Sequence, residues 1–276
     1  MSTGASIYRL PKLPDGIRVT QIRVVFSEWT KLHSLRSTRW SLFAAVLLTI
    51  ALPVIFAFAT TSHWGSMSPR DRADRHPLDI ALAGVFVGQL AVAVLGVLVI
   101  TGEYSTGMIR ASFTAVPKRL PVLWAKTFVF GAASFLLMLP AVLIAFFATQ
   151  AILDRHHILQ ISFSHPGVAR SVIGGAIYLM LVGIFALGLG AIVRNTAGGI
   201  AMFAAIFFVV PPLMNILPTN WNNAITQYLP SEAGSQIFSL THGAHSLNPW
   251  PGGLLFVGYC ALTLAIAAVL LVKRDT

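Results

Sequence analysis

Six stretches of this 276-residue chain contain no Asp, Glu, Lys or Arg: 41–60, 80–100, 127–153, 171–193, 197–217 and 252–272. They run from 20 to 27 residues. About 20 apolar residues cross the hydrocarbon core of a bilayer as a helix. Lipid offers no partners to backbone polar groups, so a spanning segment must satisfy them internally. The stretches lack the ten-residue alternation of a membrane barrel, which leaves helices. Burying all six in a water-soluble core fails on composition. Apolar residues make up 56% of the chain and charged residues 10%, against roughly 25% charged in ordinary soluble domains. A chain this size has too little interior to hide that much apolar surface. The expected fold is an all-α integral membrane protein with six transmembrane helices.

The charges set an orientation. With six spans, both ends of the chain lie on one side. Segments on that side carry 14 of the 19 cations and four of the nine acids. The opposite side carries Arg70, Arg72, Arg75, Arg155 and Arg170 against five acids. The whole net charge of +10 therefore sits on the terminal side. This is the positive-inside pattern, so the termini are expected in the cytoplasm and no nucleic acid is needed as a partner. The first span begins after some 40 residues of mostly polar and amphipathic sequence. That spacing predicts a retained helix rather than a cleaved signal peptide.

Residues 1–40 read as a cytoplasmic segment and 41–276 as the membrane domain. Within the first, Ile22, Val25, Phe26, Trp29, Leu32 and Leu35 recur at helical spacing, with Arg23, Lys31 and Arg36 on other faces. Such a helix lies in the membrane interface. Between spans two and three, Gly102 can end a helix. Ser105 or Thr106 can cap a new one, and Pro117 stops it. Met108, Ile109 and Phe113 give that short helix an apolar edge suited to a groove on another protein. Arg194-Asn195-Thr196 between spans four and five reads as a topology marker.

The run Gly102-Glu103-Tyr104-Ser105-Thr106-Gly107-Met108-Ile109-Arg110, followed by Ala115-Val116-Pro117-Lys118-Arg119 and by Lys126 at the third span, resembles the permease subunits of bacterial type 2 ABC transporters. In that family a Gly-Glu-Tyr/Phe-x-x-Gly-Thr-Ile-Arg signature follows the second span; here Met108 stands where Thr is usual. The resemblance covers nearly the whole chain. It includes an N-terminal amphipathic elbow helix, six spans, and an outer segment at 218–251 that forms short re-entrant helices in relatives. It implies that a helix at about 105–115 is a coupling helix seated in a separate ATPase subunit. Glu103, Tyr104, Ser105, Thr106, Met108, Ile109 and Arg110 would serve that contact, and the elbow residues Glu28, Trp29 and Lys31 a second one. It also implies an exporter of the bacterial plasma membrane, with two permease copies forming a homodimer and two ATPase copies that bind the ATP and Mg.

The chain itself offers no site for the energy source. A phosphate-binding loop needs a Gly-Lys-Ser/Thr ending, and none of the five lysines follows a glycine. No cofactor, metal or catalytic residue is therefore assigned, and the protein is not expected to be an enzyme. The uncharged spans disfavour an ion-coupled carrier. A membrane assembly or signalling protein without transport remains the reading from another class. Uncharged spans also fit an apolar path for lipid-like, peptide or drug-like cargo.

Other features are weighed on the same terms. Gln89 and Asn215 are candidates for the substrate path, although a buried amide more often links helices. Gly84-x-x-x-Gly88 and Gly183, Gly188 and Gly190 permit close helix approach. Pro140 and Pro211-Pro212 are expected to kink or break their helices. His156-His157 and His242-x-x-His245 lack clustered cysteine or carboxylate, so no metal is assigned. Cys260 reads as a small apolar filler.

Overall fold

A computed structural model of the chain describes residues 20–34, 36–107, 119–240, 243 and 245–273. Ten helices are used here, numbered in chain order. They are α1 (Gln21–Ser34), α2 (Arg36–His63), α3 (Pro69–Ala73), α4 (Pro77–Ser105), α5 (Arg119–Arg155), α6 (Val168–Val193), α7 (Thr196–Met214), α8 (Thr219–Ile225), α9 (Pro230–Ser235) and α10 (Pro249–Lys273). Among the described residues there is no strand. Six helices are long and apolar enough to cross a membrane: α2, α4, α5, α6, α7 and α10. The protein is a multi-pass membrane protein.

The bundle is built around α6. In its most apolar window 72% of residues are buried, against 17% in α7, so α6 is the axis and α7 the rim. Glycines make this possible. A Cβ at Gly84 of α4 would sit 2.1 Å from the Thr49 carbonyl oxygen of α2. One at Gly96 of α4 would sit 2.3 Å from the Gly183 carbonyl oxygen of α6. Gly88 faces Thr49, Gly188 faces Thr263 of α10, and Gly190 faces Val97. The glycines marked in the sequence are thus the crossing points. Facing them, α2 buries a narrow stripe of small residues at Ala45, Thr49, Pro53 and Ala57. Cys260 fills core space beside α6, its thiol donating to the Leu181 carbonyl.

The prolines act unequally. In α7, Pro211 and Pro212 have no N–H for the ladder. The preceding turn widens to a π-helix over Ala205–Val209, and the Val210 N–H reaches back five residues to the Ala205 carbonyl. Pro140, expected to kink or break its helix, lies inside an α5 that runs unbroken for 37 residues. That length is roughly 55 Å at the helical rise, well beyond the ~30 Å hydrocarbon core. Helix α1 packs on the start of α5, at the terminal-side end of the bundle. Val24 of α1 forms a small apolar cluster with Val122 and Ala125 of α5. The Gln21 side-chain amide donates to the Pro121 carbonyl.

Helix α1 is two-faced. Its buried stripe is Val24, Glu28 and Leu32, one residue per turn. Ile22, Phe26 and Trp29, expected on the apolar face, are exposed, and Trp29 stacks with His33. The outer segment between α7 and α10 holds two short helices, α8 and α9, joined by a 3-10 turn at Thr226–Tyr228. Leu229-Pro230 ends the turn and opens α9. The Tyr259 hydroxyl of α10 ties this segment down through the Tyr228 carbonyl.

Candidate functional site

The terminal-side end of α4 carries the densest polar construction among the described residues. Gly102 does not end the span, as the sequence had led us to expect. Helix α4 continues to Ser105, and the hydroxyls of Ser105 and Thr106 both donate to the Gly102 carbonyl, at 3.0 and 2.8 Å. Gly107 follows with φ of +71°, a left-handed exit that suits glycine. Met108, Ile109 and Arg110, with most of the helix expected at 105–115, lie outside the described residues.

Extending α4 through Glu103 changes that residue's surroundings. The carboxylate is 4% exposed and meets two ammonium groups on one oxygen, Lys126 at 2.9 Å and Lys31 at 3.1 Å. The same lysines hold Glu28: Lys126 on Oε2 at 2.5 Å and Lys31 on Oε1 at 2.7 Å. Lys126 is 3% exposed. Two carboxylates and two ammoniums thus close a neutral square that joins α1, α4 and the start of α5. Buried charges persist only when paired this fully. The second Glu103 oxygen, Oε2, is buried and has no hydrogen-bond partner among the described residues. The square lines a cavity of about 190 Å³ whose apolar wall includes Leu98, Val99 and Val129. At Lys31, burial alone would favour the neutral amine. The Glu28 and Glu103 contacts outweigh it, so its pKa lies above the ordinary value.

Neighbouring residues connect the same helix end to the rest of the bundle. Tyr104 lies under the Arg194 guanidinium, 5.3 Å from carbon to ring centre. Arg194 stands at the end of α6 with φ of +57°, and its Nη2 donates to the Leu270 carbonyl of α10. Thr196, opening α7, donates its hydroxyl to Thr101 of α4 at 2.8 Å. The Asn195 side chain caps α7 by accepting from the Gly198 N–H. The turn read as a topology marker is therefore fastened to the signature helix. Four elements meet at Thr101–Thr106, namely α1, α5, the α6–α7 turn and α7, and Arg194 of that turn links them to α10.

The other candidates fall elsewhere. Trp29 lies outside the buried stripe that holds Glu28 and is exposed. Gln89 is 2% exposed and accepts the Tyr178 hydroxyl of α6 at 2.5 Å, linking two core helices. Asn215, at the far end of α7, is exposed and accepts from the Asn222 amide of α8. The square itself had a sequence signal. Glu103 follows the second charge-free stretch by three residues, and Lys126 directly precedes the third. Opposite charges at one depth on adjacent antiparallel spans are placed to pair. Glu28 carried no such mark.

No protein-family model matches this chain, and no curated protein matches its sequence.

Proposed function

We propose that the chain is the membrane-spanning permease subunit of an ATP-driven exporter of the type 2 ABC class, in a bacterial plasma membrane with its termini in the cytoplasm. It has no catalytic site of its own and works as a homodimer with two ATPase subunits. One observation carries the reading: the connection between α4 and α5 is clamped at both ends. Glu103 stands at its start and Lys126 at its finish, bonded to each other and to Glu28 and Lys31 of α1. A coupling element must transmit load instead of yielding to it. A push on a helix held in this connection passes to both spans and to α1 at once, because breaking the square would strand buried charge. Tyr104 and Thr101 relay the displacement to the α6–α7 turn. In this reading α1 is the elbow. Its exposed Ile22, Phe26 and Trp29 rest in the lipid boundary, and α8 and α9 are the outer re-entrant pair.

The reading is tested by extracting the tagged protein in mild detergent from its native cell and identifying what co-purifies. A stoichiometric ATPase is expected. Ile109→Asp with Arg110→Ala should release it while the permease stays monodisperse. A folded, monodisperse sample that retains no ATPase would overturn the reading in favour of an assembly or signalling protein.

A further inference from the structure

The face between α6 and α10, on the side opposite the termini, holds a groove of about 380 Å³. Its two walls are helical stripes: Ile173, Ile177 and Leu181 on α6, and Trp250, Leu254 and Val257 on α10. Both helices run from the far side toward the terminal side, so the stripes descend together into the membrane. The floor is Ile237, seated between two glycines: a Cβ at Gly174 would lie 2.6 Å from its carbonyl oxygen, and one at Gly253 would lie 2.8 Å from its side chain. The groove is therefore closed behind and open to the membrane, where Trp250 and Leu254 are largely exposed.

Arg170 stands at the upper end. Its Nη2 donates to the Ser239 carbonyl at 2.9 Å, which fixes the side chain, while Nη1 is buried and has no acceptor among the described residues. Among the described residues no carboxylate lies within ion-pair distance of it. An arginine held at a membrane boundary by a neutral carbonyl alone keeps its full charge for an anion, and its planar fork suits phosphate. From Arg170 to Leu181 is eleven residues, roughly 16 Å of helix. That is about half the hydrocarbon thickness, the depth of one leaflet.

We propose that this groove binds one acidic phospholipid of the leaflet opposite the termini, its phosphate on Arg170 and one acyl chain between the stripes of α6 and α10. A lipid satisfies both ends of the site together: the anion meets a guanidinium with no carboxylate partner among the described residues, and the chain covers the exposed apolar walls. A zwitterionic headgroup carries its own cation beside the phosphate and gains less from Arg170. The site does not depend on an ATPase partner.

The test uses the full chain in detergent, equilibrated with equal amounts of phosphatidylglycerol and phosphatidylcholine, with retained lipid read by native mass spectrometry. One phosphatidylglycerol per chain should be retained, favoured about fivefold over phosphatidylcholine, the scale expected of one cation at an anionic headgroup. Arg170→Gln should abolish the preference, and Arg170→Lys should keep most of it. Leu254→Trp, at an exposed position that leaves folding intact, should reduce retention of both lipids. Equal retention of the two lipids by the unaltered protein, or an unchanged preference in Arg170→Gln, would overturn the proposal. So would displacement of the lipid by millimolar inorganic phosphate with no effect of Leu254→Trp, since the groove would then contribute nothing. A lipid-free dimer that Leu254→Trp dissociates would assign the groove to a second copy of the chain instead.

Discussion

Lys126 is the residue on which the charged square depends, since it alone is deeply buried and bonded to both carboxylates. Lys126→Met leaves Glu28 and Glu103 sharing the partly exposed Lys31. Uncompensated buried charge of this kind costs about 3–5 kcal/mol. Denaturant unfolding in detergent should show that loss, and adding Glu103→Met should recover part of it, because an apolar pair of similar volume replaces the ion pair. Glu232 in α9 makes the opposite case. It is half-buried with no salt bridge among the described residues, and burial raises its pKa above the ordinary 4.5. A folded pKa above the unfolded one means that the folded state holds the proton more tightly. The corresponding stability is full below pH 4.5 and is lost as pH rises through the folded pKa. Glu232→Gln should therefore raise the thermal midpoint at pH 7 and give little gain at pH 4. At this scale the sequence was only partly legible. Glu103 and Lys126 carried a depth signal, but Glu28 lies 98 residues from Lys126, and only chain packing brings them together.

For the six spans helix existence was legible, because a bilayer forces every apolar run of that length into the same shape. Helix ends were less so. Gly102 looked like a stop, yet nothing contacts a Cβ placed there and the helix runs on through Glu103 to Ser105. Tertiary bonds from Glu103 to α1 and α5 outweigh the small helix penalty of one glycine. In α1 the spacing marked Ile22, Phe26 and Trp29 as an interfacial face, and they are exposed; what it did not mark is the face that packs on α5, which includes the charged Glu28. Helix packing supplies its own check. Gly84→Val would drive a side chain into the Thr49 backbone, so it should separate α2 from α4 and abolish recovery of monodisperse protein. Gly258, on the open face of α10 with nothing within 4 Å, is the control. Gly258→Ala should be neutral or stabilise by up to about 1 kcal/mol, measured by the same thermal unfolding.

For the molecule as a whole, reporters fused before α1 and after α10 should score on the same side of the membrane. One inserted at the exposed His156-His157 turn should score on the other. A split between the two ends would mean that one of the six helices does not span. The sequence alone determined that the chain crosses a membrane, how many helices do so and how the charge divides between the two sides. Those properties are set by the solvent, which acts on each segment separately: about 20 apolar residues suffice, whatever their neighbours. Only the tertiary structure decided that α6 is the axis, that Gln89 serves Tyr178, and that four charges distant in sequence close a neutral square at the end of α4. It likewise decided that Arg170 stands above an apolar groove with no carboxylate in reach among the described residues. These depend on which helix faces which. Lipid, as apolar as the helices themselves, leaves that choice to glycine crossings and buried polar pairs.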